Sequence, residues 1–203
     1  MLKLLATFSI SMVLLLQAFG ASAQQQLSPD ELVKKVTAEV LQTIKQDKQL
    51  QAGDRRKALA LAEEKILPLV DFEESTRLAV GRAWRDATPE QRQKLVQEFR
   101  RMLVRVYSNA IGAYQGQTMQ VQPIRMAPNA TDVTVRNQYI RPGKPAVSVD
   151  YAMHKTPAGW KIYDITAEGI SLVLTYRGGF EQIVQQSGVD GLIKQISEKN
   201  GPA

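Results

Sequence analysis

Few side chains in this sequence are equipped for chemistry: its 203 residues include one histidine, His154, and no cysteine. Thiol nucleophiles, disulfides and cysteine-held metals are excluded, and no His/carboxylate spacing resembles a zinc site. No glycine-rich loop follows a strand in the pattern that cradles phosphate. His154 sits in an alternating run, on the face opposite Val149, Tyr151 and Met153, and reads as an exposed edge residue rather than a general base. Asp164 is the one acid worth weighing. By alternation it shares a face with Trp160 and Ile162. One reading is therefore a pocket acid with a raised pKa, as in small-molecule isomerases on a cone-shaped α+β fold. The favoured reading, since no partner base can be named, is a carboxylate accepting backbone N–H groups from a helix end.

Positioning these residues falls to two halves of different periodicity. In the first, Ser28-Pro29-Asp30-Glu31 forms a capping box with proline at the first helical position, and Leu32, Val33, Val36, Val40, Leu41 and Ile44 recur at helical spacing. A second helix runs from about Asp54 until Pro68 stops it, and a short one from Asp71 to Val80. Thr88-Pro89-Glu90-Gln91 opens the longest helix, where Leu95, Phe99, Met102, Val106, Ala110 and Tyr114 form one stripe, widened by Val96, Leu103, Tyr107 and Ile111. So broad a face must lie against something large.

The second half supplies it. Val133, Val135 and Tyr139, then Val147, Val149, Tyr151 and Met153, alternate with polar residues. With Met119 to Met126 and Trp160 to Thr166 they make about four antiparallel strands, joined by turns at Pro128-Asn129, Pro142-Gly143-Lys144-Pro145 and Thr156-Pro157-Ala158-Gly159. Gly169 lets the chain bend where Ile170, Val173 and Leu174 leave the sheet. Helical spacing returns around Phe180, Ile183 and Val184, and again from Asp190 through Leu192, Ile193 and Ile196, with Gly178-Gly179 leaving the start undefined. The expected class is α+β, helices covering one face of a curved antiparallel sheet, and periodicity alone favours a packed core over a cavity.

The N-terminus bears on location. Lys3, the apolar run Leu4 to Phe19 and Ala21-Ser22-Ala23 form a secretory signal over residues 1–23, leaving a single domain over 24–203. That run falls short of the roughly 20 residues that span a bilayer. Without cysteine the mature chain carries neither a lipid on an N-terminal cysteine nor a disulfide, which suits a bacterial periplasm. Composition, 44% hydrophobic and 23% charged, is ordinary for a globular protein. The formal charge of +6 falls to +5 when Lys3 leaves. Export and the lack of a long basic run disfavour nucleic acid. Arg55-Arg56-Lys57 and Arg100-Arg101 read as solvated helix faces rather than a docking patch for acidic headgroups or an acidic partner.

Several blocks acquire meaning together: Ile66-Leu67-Pro68-Leu69-Val70-Asp71-Phe72, Leu78-Ala79-Val80-Gly81 with Trp84, Ala87-Thr88-Pro89-Glu90-Gln91-Arg92, Tyr114-Gln115-Gly116-Gln117, Tyr163-Asp164-Ile165-Thr166-Ala167-Glu168-Gly169-Ile170-Ser171 and Gly188-Val189-Asp190-Gly191-Leu192. In this order, from about Asp30 to Ser197, they resemble the MlaC family, also called toluene-tolerance proteins; Gly178-Gly179 departs from the polar helix residues usual there. The resemblance implies a helix-covered curved sheet related to the cone-shaped NTF2-like architecture, with an internal apolar cavity. It implies a periplasmic glycerophospholipid carrier between an outer-membrane lipoprotein–porin complex and an inner-membrane ABC transporter with a hexameric lipid-binding ring, maintaining outer-membrane lipid asymmetry. The lipid is cargo, with no cofactor, no metal and no enzymatic role, and Asp164 and Glu168 gain no catalytic part. On the resemblance and their apolar faces, Phe72, Leu78, Tyr107, Ile111, Val149, Tyr151, Ile162, Ile170 and Leu174 are expected to line the tail pocket. The alternatives are a cavity enzyme with Asp164 as base, or an adaptor whose apolar face binds protein.

Overall fold

The computed structural model describes residues 27–112 and 116–201, so the expected signal segment lies outside the described residues. Helix α1 (Pro29–Gln46) begins where the Glu31 carboxylate accepts both the Ser28 N–H, at 3.0 Å, and the Ser28 hydroxyl, at 2.8 Å. Asp47 caps the short α2 (Lys48–Gln51) and Asp54 caps α3 (Arg55–Leu61). The helix expected to continue to Pro68 changes its winding instead. After α3 it widens into a π turn at Ala62–Ile66 and tightens into a 3-10 turn at Leu67–Leu69, where Pro68 has no N–H to continue the ladder. Asp71 caps α4 (Phe72–Val80), its Oδ1 accepting the Glu74 N–H at 2.9 Å, and α5 (Ala83–Asp86) follows. Helix α6 (Pro89–Gly112) opens on a reciprocal capping box: the Thr88 hydroxyl accepts the Gln91 N–H at 3.2 Å, and the Gln91 side chain accepts the Thr88 N–H at 2.9 Å.

Helix α7 (Leu172–Asn200) runs through Gly178-Gly179 and breaks at Gly188, whose φ of +68° is non-helical. Tyr176 and Phe180 both set ring edges against Phe99 of α6, holding the helix across the glycine pair. Gly188 has open space where a Cβ would stand, but its left-handed φ is a conformation that a side chain would strain.

The sheet has six strands rather than about four: β1 (Thr118–Val121), β2 (Asp132–Val135), β3 (Asn137–Ile140), β4 (Val147–Thr156), β5 (Gly159–Ala167) and β6 (Ile170–Ser171). All pair antiparallel in the order β1-β3-β4-β5-β6, with β2 also on β4. The expected strand from Val133 to Tyr139 keeps one register on β4, Val133 opposite Met153 and Tyr139 opposite Val147, but is interrupted at Arg136. There the buried Asn137 amide donates to the Val135 and Val149 carbonyls at 3.0 and 2.9 Å, and the Arg136 carbonyl accepts from Gln122.

A bulge in β5 corrects the reading of Asp164. Met153 pairs with Ile162 but Ala152 pairs with Asp164, so Tyr163 is an extra residue and parity inverts beyond it. Asp164 therefore lies on the face opposite Ile162, and Ile165 takes the place across from Tyr151.

Two main cores result. The helical one centres on Trp84, Leu95, Phe99 and Met102 with Val173, Phe180, Leu192 and Ile196 of α7. The other joins Val33 of α1 to Val135, Met153, Trp160 and Ile162 of the sheet.

Candidate functional site

One face of the sheet carries a ladder of apolar residues whose cover runs out. At one end Val135 and Met153 are 0% exposed, packed with Trp160, Ile162 and Val33. Further along, Tyr151 and Val149 are half-buried. Ala167 pairs with both Val149 and Ile170, which puts Ile170 in the same row across three strands, and there it is 67% exposed. Leu174, in the first turn of α7, is 61% exposed. The stripe on α6 behaves the same way: Leu95, Phe99, Met102 and Leu103 are buried, whereas Val106 and Tyr107 are 46% and 45% exposed. Three elements thus present large apolar side chains without cover, a grouping that scattered surface hydrophobics do not make.

The open end is held by polar contacts on its margins. Asp164 Oδ1 accepts the N–H groups of Ile165 at 2.8 Å and Val173 at 3.1 Å, and Oδ2 accepts the Ser171 hydroxyl at 2.6 Å. Ser171 Oγ in turn accepts the Leu174 N–H at 3.0 Å, capping α7. A carboxylate at a helix N-terminus also meets the positive end of the helix dipole. The favoured structural reading of Asp164 is met, although alternation put it on the wrong face. Next to it, Glu168 and Gly169 make the β5–β6 turn with φ of +50° and +79°. Glu168, the non-glycine residue in that left-handed conformation, is tied to β4: its carboxylate accepts the Ser148 N–H at 2.6 Å, and its own N–H donates to the Ser148 carbonyl at 3.0 Å. Asp164 and Glu168 together fix Ile170 and Leu174.

Two tyrosines at this end hold their protons to unusually high pH. Burial, and then the neighbouring Tyr139 hydroxyl, hold the Tyr151 phenol well above its ordinary range. Burial, and then a hydrogen bond with Tyr107, push Tyr176 up to about 12.

His154 differs from its expectation. It is half-buried on an interior strand, its Nε2 2.9 Å from Asp71 Oδ2 and its ring edge-on to Tyr163, whose hydroxyl donates to Asp132 at 2.9 Å. Strand β4 is flanked by β2, β3 and β5, so it has no free edge there. The cluster ties the start of α4 to the outer face of the sheet, away from the apolar row.

Among the residues expected to line a pocket, Val149, Tyr151, Ile162 and Ile170 share the sheet face, with Ile162 in its buried core. Leu174 flanks this row on α7, and Tyr107 meets the same helix through Tyr176. Phe72 and Leu78 pack instead on the helical core, Phe72 with the Arg100 guanidinium 5.6 Å from its ring centre. The Ile111 side chain lies outside the described residues. Ile165, Tyr139, Tyr176 and Val106 lie toward the open end and were not among the residues expected to line the pocket. Tyr139 was legible from alternation; Ile165 was hidden by the bulge. Among the described residues no cluster of three or more His, Cys, Asp or Glu has a metal-holding arrangement.

Helices closing over part of an open antiparallel sheet, with one end of its apolar face uncovered, define an α+β scaffold that offers apolar surface for contact. The family described as MlaC protein matches residues 34–198. The chain belongs to that family. It is 28% identical over 186 residues to toluene tolerance protein ttg2D of Pseudomonas putida, covering 88% of this chain and 83% of that protein. It is 21% identical over 180 residues to the intermembrane phospholipid transport system binding protein MlaC of Haemophilus influenzae, covering 87% of this chain and 84% of that one. The solved phospholipid-binding protein from Ralstonia solanacearum, in complex with a phospholipid, superposes with a TM-score of 0.78 at 38% identity, covering 86% of this chain and 97% of that chain.

Proposed function

We propose that this protein is a periplasmic carrier of glycerophospholipid, exported by a signal over residues 1–23 and holding acyl chains with the domain over 24–203. The observation that supports this most is the set of exposed apolar side chains on β6, α6 and α7, with half-buried Val149 and Tyr151 on β4, in a fold whose Ralstonia relative was solved with a phospholipid bound. At about 0.8 kcal/mol per buried CH₂, two tails of roughly 16 carbons bring a gross hydrophobic term on the order of 25 kcal/mol. A lipid cannot cross water unescorted at that cost, and its carrier must offer a comparably apolar enclosure. In this reading Tyr107, Val149, Tyr151, Ile170 and Leu174 contact the tails, with Ile111 continuing the α6 stripe. Ile162, Phe72 and Leu78 support the wall from the two cores. Neutral tyrosine hydroxyls add no charge to it.

Among the described residues no helix is long and apolar enough to cross a membrane. Family membership supports cargo exchange with an outer-membrane lipoprotein–porin complex and an inner-membrane ABC transporter bearing a hexameric lipid-binding ring, in service of outer-membrane asymmetry. A cavity enzyme based on Asp164 finds no support, because both carboxylate oxygens are engaged in holding α7. The test is detergent-free purification followed by solvent extraction. Diacyl glycerophospholipid at a fixed ratio to protein is the expected result. Protein that is lipid-free, and stays so after incubation with liposomes, contradicts the carrier reading.

A further inference from the structure

The two basic clusters that read as separate solvated faces converge in space. Arg55 of α3 and Arg100, Arg101 and Arg105 of α6 line one cleft of about 250 Å³, with Glu63 and Asn200. Four guanidiniums thus face one lining carboxylate. Arg101 is anchored, to Glu98 at 3.2 Å and to the Gly201 carbonyl at 3.1 Å. Arg100 lies over the Phe72 ring. Arg55 and Arg105 are exposed, and neither has an ion-pair or hydrogen-bond partner among the described residues. Asn200 donates its amide to the Glu98 carbonyl at 3.0 Å and to its carboxylate at 2.7 Å, which fixes its orientation and leaves Oδ1 buried without a partner.

We propose that this cleft between α3 and α6 is a docking site for an acidic protein segment. Like charges crowded into a concavity repel one another until an anion enters, and the guanidinium fork matches a carboxylate in two-point geometry. Glu63 decides between possible anions. A free phosphate or a lipid headgroup phosphate concentrates its charge at one point and meets repulsion from Glu63. An extended acidic segment spreads its carboxylates among the four guanidiniums and brings backbone N–H donors that the Glu63 carboxylate can accept. The cleft is concave and smaller than the roughly 300–1,000 Å³ of a small-molecule pocket, which suits a few side chains of an extended segment and not a flat bilayer. This inference does not depend on the lipid-carrier reading.

The test uses the full mature protein and fluorescein-labelled decaglutamate, followed by fluorescence anisotropy at low salt. Arg55→Glu/Arg105→Glu is expected to weaken binding by at least about tenfold, while Lys34→Glu/Lys35→Glu, the same charge change on the exposed face of α1, weakens it by less than about threefold. Arg55→Gln/Arg105→Gln gives an intermediate loss and answers for any misfolding of the charge-reversed protein, which thermal melting checks. Absence of binding to the unaltered protein, or equal loss in the cleft and α1 variants, overturns the proposal. So does loss of binding to phosphatidylethanolamine–phosphatidylglycerol vesicles in the cleft variant while decaglutamate still binds. Lipid extracted from the same samples separates the two questions: lost peptide binding with full lipid content supports docking alone, and lipid-free protein that binds peptide contradicts only the carrier reading.

Discussion

At one end of the apolar sheet face Met153 and Val135 are fully buried with Val33 of α1 against them; at the other, Val149 and Ile170 stand beside an exposed Leu174. The side chains are of the same kind and belong to the same alternating pattern. What differs is the neighbour: α1 packs over β1 and β2 and contributes to the sheet core, while the far end of β4 and the β6 hairpin receive no such cover among the described residues. Helix α6 repeats the contrast along its own length, from Phe99, wholly buried, to the half-exposed Tyr107. The closed end therefore owes its stability to protein packing. The open end retains apolar area whose burial waits for something from outside, at a gain of roughly 25 cal/mol for each Å² removed from water.

The strongest way to break this contrast is to truncate the closed end. Met153→Ala should destabilise the fold by about 2–5 kcal/mol, read from denaturant unfolding, with lipid per folded molecule unchanged. Ile170→Glu should do the reverse, leaving the unfolding midpoint within about 0.5 kcal/mol while lipid retention drops by on the order of 2 kcal/mol, roughly thirtyfold, because a carboxylate is placed against acyl chains. Should Ile170→Glu fold and keep its full lipid load, the open end is misplaced.

Asp164→Asn sharpens the boundary between the two regions. It keeps the shape but removes the charge that accepts Ser171 and the Val173 N–H, costing about 1–2 kcal/mol and showing first as faster amide exchange at the start of α7, with lipid still bound. The smallest effect concerns pH. Tyr176 is held at about 12 in the fold, against roughly 10 in an unfolded chain. Its neutral form is thus favoured in the native state: the stabilisation is complete below about pH 10 and is lost as pH rises toward 12. Between those values unfolding midpoints should fall less steeply for Tyr176→Phe than for the unaltered protein.

Much of the fold was legible in residue order. The Thr88-to-Gln91 capping box, the α6 stripe and the period-two strands all appear where local chemistry puts them. Three features were not legible because no local signal encodes them. Tyr163 looks like any strand residue, yet as the extra residue of a bulge it moves Asp164 to one face and Ile165 to the other. Asn137 falls by alternation among the apolar positions Val133, Val135 and Tyr139 like any strand residue, yet its amide bonds the Val135 and Val149 carbonyls where the strand is divided. Pro68 announces a stop, whereas the chain rewinds through a π turn before it and a 3-10 turn around it and then passes on to α4. The proposed binding face was half-legible for a related reason. Alternation says which residues share a face, but where cover ends depends on the reach of α1 and α6, a tertiary quantity. Hence Phe72 and Leu78, apolar and close to family blocks, fall in the helical core.

Native mass spectrometry of detergent-free protein, comparing the unaltered chain with Met153→Ala and Ile170→Glu, addresses the open end most directly. The account predicts one discrete diacyl-phospholipid mass increment on the unaltered protein and on the folded Met153→Ala fraction, and its loss from Ile170→Glu. An increment retained by Ile170→Glu and lost from folded Met153→Ala would contradict it, placing the lipid at the end described here as closed.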